Sequence, residues 1–229
     1  MHLPIGDLRI ETGDGEESTV TIDGTSKIVE ATNVELAGDR LIVAMRRRTL
    51  GLFGRFDGSL RLVARIPHHS DVELVTASGE AALAGSFAGL ELKGVSGGLR
   101  ATGEVTDAVR VNNVSGDVRL PRIGGNLTAR TVSGDIDAES VGGSISAKSV
   151  SGRVRVGSVR EGEVNVQSVS GDVELGIAVG SIVDVDARSA SGALRSEVPL
   201  SDAPVTGGGP AVVVRGNTAS GDFRLFRAA

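Results

Sequence analysis

The chain contains no cysteine, no tryptophan and no tyrosine among its 229 residues. Without thiols it can form neither disulfides nor thiolate metal sites, a composition that fits a reducing compartment without requiring one. Without Trp or Tyr, and with only five Phe, it lacks the stacking platforms that sugar rings and unpaired bases rest on. No run of about 18 apolar residues occurs, and Met1 to Asp7 shows no basic segment leading into an apolar one. The expectation is a soluble chain without a transmembrane segment, cytoplasmic by default, with surface association left open. A formal charge of −5 gives no general pull toward nucleic acid. No nucleic-acid partner and no cofactor are expected.

What the chain has in quantity is glycine, 33 residues, and a repeated tetrapeptide. Val114-Ser115-Gly116-Asp117 returns as Val132-Ser133-Gly134-Asp135, Val150-Ser151-Gly152-Arg153 and Val169-Ser170-Gly171-Asp172. Looser copies stand at Ser78-Gly79, Ser96-Gly97, Ser191-Gly192 and Ser220-Gly221, so from Ser78 the steps are 18, 19, 18, 18, 19, 21 and 29 residues. A nearly fixed interval of this size means one structural unit stacked on itself. A half-length period lies inside it, since Gly116, Gly125, Gly134, Gly143 and Gly152 are each 9 residues apart.

Each half carries one short alternating segment, such as Leu127-Thr128-Ala129-Arg130 or Val154-Arg155-Val156. Alternation places the aliphatic residues on one face and the polar ones on the other. Two strands and two glycine corners per repeat describe an all-β, single-stranded β-solenoid with two facing parallel sheets and about 18 residues per coil. Coils stacked at roughly 4.8 Å bring equivalent residues side by side. In chain order Arg119, Asp137, Arg155, Glu174 and Arg195 then form an outward row of alternating sign. The predicted corners are Gly116, Asp117, Gly134, Asp135, Gly152, Gly171 and Asp172.

The organisation expected is a β-rich N-terminal cap over residues 1–75 and solenoid repeats over 76–229. The cap reads as antiparallel or irregular strands, Ile28-Val29-Glu30 among them, because an open solenoid end invites unwanted strand addition. A Pro/Gly-rich loop at 199–210 accounts for the 29-residue step. Ala211 to Val214 and Phe223 to Phe226 follow it as a final coil.

Taken in order, these residues resemble the bacterial putative-adhesin β-strand-repeat domains, a family of unknown function related to the toast-rack domains. The resemblance rests on Pro4-Ile5-Gly6-Asp7-Leu8-Arg9-Ile10, on Ile66-Pro67 followed by Ser70-Asp71-Val72-Glu73-Leu74, on the Ser-Gly-Asp corners and on the closing Ala219-Ser220-Gly221-Asp222-Phe223-Arg224. It covers essentially the whole chain and implies a β-solenoid with no established enzymatic activity.

Several residue patterns suggest chemistry. Asp117, Asp135, Asp172 and Asp222 could form a calcium ladder, but Arg153 and Ala193 interrupt the row, and turn aspartates bonded to their own backbone are the simpler reading. The pairs Thr131/Ser133, Ser149/Ser151, Ser168/Ser170, Ser189/Ser191 and Thr218/Ser220 resemble ice-binding hydroxyl arrays, yet alternation turns the first of each pair inward to bond near a corner. His2, His68 and His69 are the only histidines, and the adjacent pair falls in a turn after Pro67. Gly207-Gly208-Gly209 lacks the Gly-Lys-Ser/Thr that a phosphate loop needs. Phe53, Phe56, Phe87, Phe223 and Phe226 read as mostly cap or loop residues.

One basic cluster departs from the acidic background. Arg46, Arg47, Arg48, Phe53 and Arg55 combine positive charge with apolar residues as a candidate patch for an anionic surface or acidic partner. The expected role is a non-catalytic structural or protein-interaction module, its partner an unidentified protein or a second copy. The alternative is a calcium-dependent binding module or a polysaccharide-active enzyme with its site in the cap or the Gly-rich loop.

Overall fold

Alternating Val, Ile, Leu and Ala in short segments separated by glycine corners wind the chain into a parallel stack. The computed structural model describes residues 1–45, 60–198 and 209–228. Each regular coil gives one strand to each of two ladders. The first ladder runs through Leu99–Val105, Val118–Ile123, Ile136–Val141, Val154–Val159 and Val173–Ile177. The second runs through Val109–Asn112, Leu127–Thr131, Ile145–Ser149 and Gly162–Ser168. Strand Ala81–Ser96 serves both, its first half beside Leu99–Val105 and its second beside Val109–Asn112.

The in-register stacking expected from the period is present. Val118, Ile136, Val154 and Val173 form one inward file and Leu120, Ala138, Val156 and Leu175 the next, all of them 4% exposed or less. Facing them across the core are Leu127, Ile145 and Val164, with Ala129, Ala147 and Val166 alongside, none above 1%. A buried aliphatic side chain contributes about 1.5 to 3 kcal/mol, and no single coil can hide its own apolar face.

At both ends the order in space departs from the order in sequence. Strand Ala211–Thr218 lies between Gly162–Ser168 and Ile182–Ser189, with Val214 beside Val164 on one side and Val185 on the other. Strand Phe223–Arg227 likewise lies between Val173–Ile177 and Leu194–Ser196. The residues expected to form the final coil are therefore the penultimate one, and the coil at 182–196 is outermost. This corrects the outward row too. Arg119, Asp137, Arg155 and Glu174 are successive neighbours, but Glu174 is followed by Arg224 and only then by Arg195. Arg224 meets the carboxylate of Glu197 at 2.5 Å, which offsets the like charge of Arg195 beside it.

The other end has the same device. Strand Asp7–Gly13 sits between Arg61–Pro67 and the first half of Ala81–Ser96, and His2–Ile5 between Arg40–Met45 and Ser70–Ser78. These strands are parallel members of the stack. Among the described residues, antiparallel pairing is confined to Thr19–Asp23 on Arg61–Pro67 and Thr32–Ala37 on Arg40–Met45. Residues 75 and 76 fall within one strand, Ser70–Ser78. Ile28-Val29-Glu30, read as extended, lies in the helix Ser26–Ala31, whose Ile28 and Ala31 are buried. Packing over the stack end outweighs the weak strand preference of so short a segment.

The outermost strands carry the protection that exposed edges need. Ile182–Ser189 presents Asp184, Asp186 and Arg188, and its companion Leu194–Ser196 has only three residues. Charge and brevity both discourage edge-to-edge pairing.

Candidate functional site: the serine-glycine corner

Successive coils approach closely at the Ser-Gly corner. An added Cβ on Gly79 would overlap the carbonyl of Gly6, one on Gly97 that of Gly79, and so on through Gly116, Gly134, Gly152 and Gly171. The file continues to Gly221, which would overlap Gly171, and then to Gly192, which would overlap Gly221. It thus reports the inverted end order independently of the strands. Gly116 and Gly134 also have positive φ, 106° and 132°, but Gly152 and Gly171 do not. Close approach, rather than backbone angle, is the requirement common to the file.

The aspartate after the glycine links one coil to the next. Asp117 Oδ1 accepts from Asp135 N at 3.1 Å, Asp135 Oδ1 from Arg153 N at 2.9 Å, Asp172 Oδ1 from Asp222 N at 2.9 Å and Asp222 Oδ1 from Ala193 N at 2.8 Å. These carboxylates bond to the following level and not, as the turn reading had it, to their own backbone. Replacing Asp135 by Ala leaves the Arg153 N–H without this acceptor and costs about 1 kcal/mol in urea unfolding, whereas Asp135→Asn keeps an acceptor oxygen and costs less. Equal losses for the two variants would contradict the assignment.

Because each of these carboxylates is already committed to an N–H, the row is poorly arranged to wrap a cation. Among the described residues no group of three His, Cys, Asp or Glu side chains is placed to hold a metal ion. Millimolar calcium is expected to leave the melting temperature unchanged within about 1 °C; a rise of several degrees would restore the calcium-ladder reading.

The paired hydroxyls divide as alternation predicts. Thr131, Ser149, Ser168 and Thr218 are buried, and Ser189 is half-buried. Ser149 Oγ accepts from Gly152 N at 2.9 Å and donates to Gly152 O at 2.8 Å, and Ser168 does the same with Gly171. Thr131 Oγ1 alone among the buried side-chain atoms described has no partner. Four of the second hydroxyls also turn to the stack, Ser151, Ser170, Ser191 and Ser220 donating to Val132 O, Val150 O, Ala219 O and Val169 O at 3.1 to 3.4 Å, as the unpaired Ser115 does to Val95 O at 3.2 Å.

The motif's valine was not singled out by sequence, and it is the residue left facing solvent. Val95, Val114, Val132, Val150 and Val169 are 45 to 54% exposed and form one file along the corner. The signal was available: if Ala129 and Thr131 point inward, Val132 must point out.

Other sequence candidates are scattered. His69 adopts φ 57° in the turn after Pro67, and His68 Nδ1 lies 2.9 Å from Thr12 Oγ1 with its Nε2 3.5 Å from Asp14. Phe87 and Phe223 are core residues, 0 and 2% exposed, on strands Ala81–Ser96 and Phe223–Arg227. Arg46, Arg47, Arg48, Phe53, Phe56 and Arg55, like Gly207 and Gly208, lie outside the described residues. At the opposite corner a shallow hollow of about 570 Å³ is floored by Gly124 and Gly142 and flanked by Arg122 and Arg160. Its one carboxylate, Glu104, accepts a hydrogen bond from Ser86 at 3.2 Å.

Charge gathers at one end of the second ladder, where Glu73 meets Lys93 and Arg40, each at 3.3 Å. The hydrogen bond from Lys93 is the main cause that lowers the Glu73 pKa. A carboxylate with a depressed folded value stabilises the fold above its unfolded pKa of about 4.3, and that stability is lost as pH falls through the folded value. Stability should accordingly decline below about pH 4, and Lys93→Met should flatten that decline; an unchanged acid limb would refute the pairing.

Among the described residues no helix is long and apolar enough to cross a membrane. Two crystal structures are similar to this chain. One, a putative cell adhesion protein from Clostridium sporogenes, is 11% identical, with 99% of this chain and 91% of that chain covered and a TM-score of 0.28. The other, a putative adhesin from Bacteroides fragilis, is 12% identical, with coverages of 98% and 90% and a TM-score of 0.43. No curated protein matches the sequence. The family model described as Toastrack DUF4097 matches residues 5–225, and with the stacked Ser-Gly-Asp corners running through that span, the chain belongs to this family of unknown function.

Proposed function

We propose that the protein is a non-catalytic interaction module, a rigid two-ladder stack that presents its flat outer faces to a protein partner. The observation that carries this reading is the fate of the corner side chains. Asp117, Asp135, Asp172 and Asp222, with Ser149 and Ser168, spend their polar atoms on bonds within and between coils. Residues so engaged build a scaffold and are poorly free to act on a substrate. An enzyme acting on polysaccharide would need convergent carboxylates in a cleft, and the hollow beside Arg122 and Arg160 contributes only Glu104.

The test is photo-cross-linking in cells of the native organism, with a photoreactive residue replacing Ser146 on the second ladder or Asp137 on the first. A discrete covalent adduct with another protein from at least one face is the expected result. No adduct from either face, with the protein folded and expressed, would overturn the reading.

A further inference from the structure

The outer face of the second ladder differs in charge from that of the first. Over four consecutive coils its outward positions are Arg110 and Asn112, Thr128 and Arg130, Ser146 and Lys148, and Asn165 and Gln167. Three cations occupy them, and the carboxylates of the same face lie at its margins, Glu163 paired with Arg215 and Glu91, in register beside Arg110, paired with Lys93. Arg130 stands in register directly beside Lys148, an arrangement that repels. Among the described residues, no carboxylate comes within ion-pair distance of Arg110, Arg130 or Lys148. On the first ladder the corresponding Arg119, Asp137, Arg155 and Glu174 alternate. From Arg119 to Glu174 the first face alternates in sign, whereas on the second Arg130 and Lys148 have no acidic neighbour in register.

The exposed valine file borders this second face. Val114, Val132 and Val150 each follow Asn112, Arg130 and Lys148 by two residues, so an apolar ridge runs parallel to the basic row. Backbone recognition is closed along this ridge. The carbonyls of Val114, Val132 and Val150 already accept from Ser133 N, Ser151 N and Ser170 N at 2.8 to 2.9 Å. An added β-strand would find those acceptors taken, so an occupant must be read by side chains.

Spacing and charge select the occupant. Residues of the file repeat at about 4.8 Å, close to the 5.4 Å pitch of an α-helix, so over the three steps from Val114 to Val169 a helix laid along the ridge drifts by only about 2 Å. An apolar stripe at i, i+4, i+7 and i+11 stays seated between the valines. Acidic residues on one flank of that helix would reach Arg110, Arg130 and Lys148. No aromatic side chain stands in the file, which disfavours membrane insertion and base stacking as the purpose of the strip. We propose that the valine ridge and the adjoining Arg110–Arg130–Lys148 face bind an acidic amphipathic helix of a protein partner, an inference that rests on the interaction-module reading and names its partner class.

The probe is a synthetic helical peptide of about 18 residues with Leu at i, i+4, i+7 and i+11 flanked by Glu, followed by amide chemical shifts of the full chain. A Lys-flanked version and a version with the Leu stripe broken are the comparisons, and phosphatidylglycerol vesicles form a separate arm. The acidic peptide is expected to shift amides around 112–114, 130–132 and 148–150, and the other two peptides are not. Arg130→Glu with Lys148→Glu should weaken binding by about tenfold or more, as should Val132→Asp with Val150→Asp. Equal binding of the Glu- and Lys-flanked peptides, absence of binding, or vesicles shifting these amides when the acidic peptide does not, would each overturn the proposal. Adducts from Ser146 without peptide binding sink the helix and leave the module standing; absence of adducts from every face sinks the module itself.

Discussion

Gly152→Ala is expected to destabilise the protein by about 3 kcal/mol or more, while Gly15→Ala costs about 1 kcal/mol. The two glycines separate two reasons for having no side chain. Gly15 has φ 102° with nothing within 4 Å of an added Cβ, so the substitution meets only backbone strain. Gly152 has no such φ, but its Cβ would overlap the carbonyl oxygen and carbon of Gly134 and crowd its nitrogen. Those atoms are backbone and cannot rotate away as a side chain would. Relief requires the coils to part, and parting them stretches the bonds on either side, including Ser151 N to Val132 O at 2.9 Å and Arg153 N to Asp135 Oδ1 at 2.9 Å. Urea unfolding of both variants gives the comparison. Equal costs would show that the file serves turn geometry alone.

A pair of cysteines at Asn165 and Arg215 is expected to form a disulfide under mild oxidation, and a pair at Asn165 and Asp186 is not. The natural chain has no cysteine to interfere. Arg215 stands in register with Asn165 on one side and with Asp186 on the other. Adjacent coils place Cα atoms about 4.8 Å apart, inside the range a disulfide spans, whereas coils two levels apart leave roughly 10 Å, beyond it. Closing a loop of about 50 residues should add about 4 kcal/mol in the chain-entropy picture, partly offset by losing the exposed Arg215–Glu163 pair, worth less than about 1 kcal/mol. Cross-linking of Asn165→Cys with Asp186→Cys instead would mean that the coils follow chain order and that the inserted C-terminal coil is wrong.

Much of the site was legible because a short side chain in a stacked fold has few places to go. Alternation from Leu127 fixed the inward turn of Thr131, and the same step carried on to Ser149 and Ser168. What alternation could not supply was the partner across levels. That Asp135 bonds to Arg153 N, not to its own turn, depends on the offset between coils, a distance no single repeat contains. The burial of Phe87 and Phe223 was not legible for a related reason: which coil covers an aromatic ring is decided by the neighbours in space.

The period of glycine and the alternation of aliphatic residues were sufficient to determine a two-ladder parallel solenoid and its inward and outward faces, since these depend on local backbone geometry repeated at fixed intervals. Only the tertiary structure decided that residues 2–13 and 211–227 each enter one level inside an end of the stack. Any two coils with the same repeat present the same inward pattern to a neighbour, so Val214 fits beside Val164 as Val185 could have done. The choice rests on which arrangement best covers the last apolar faces and leaves the charged Ile182–Ser189 and the three-residue Leu194–Ser196 at the edge.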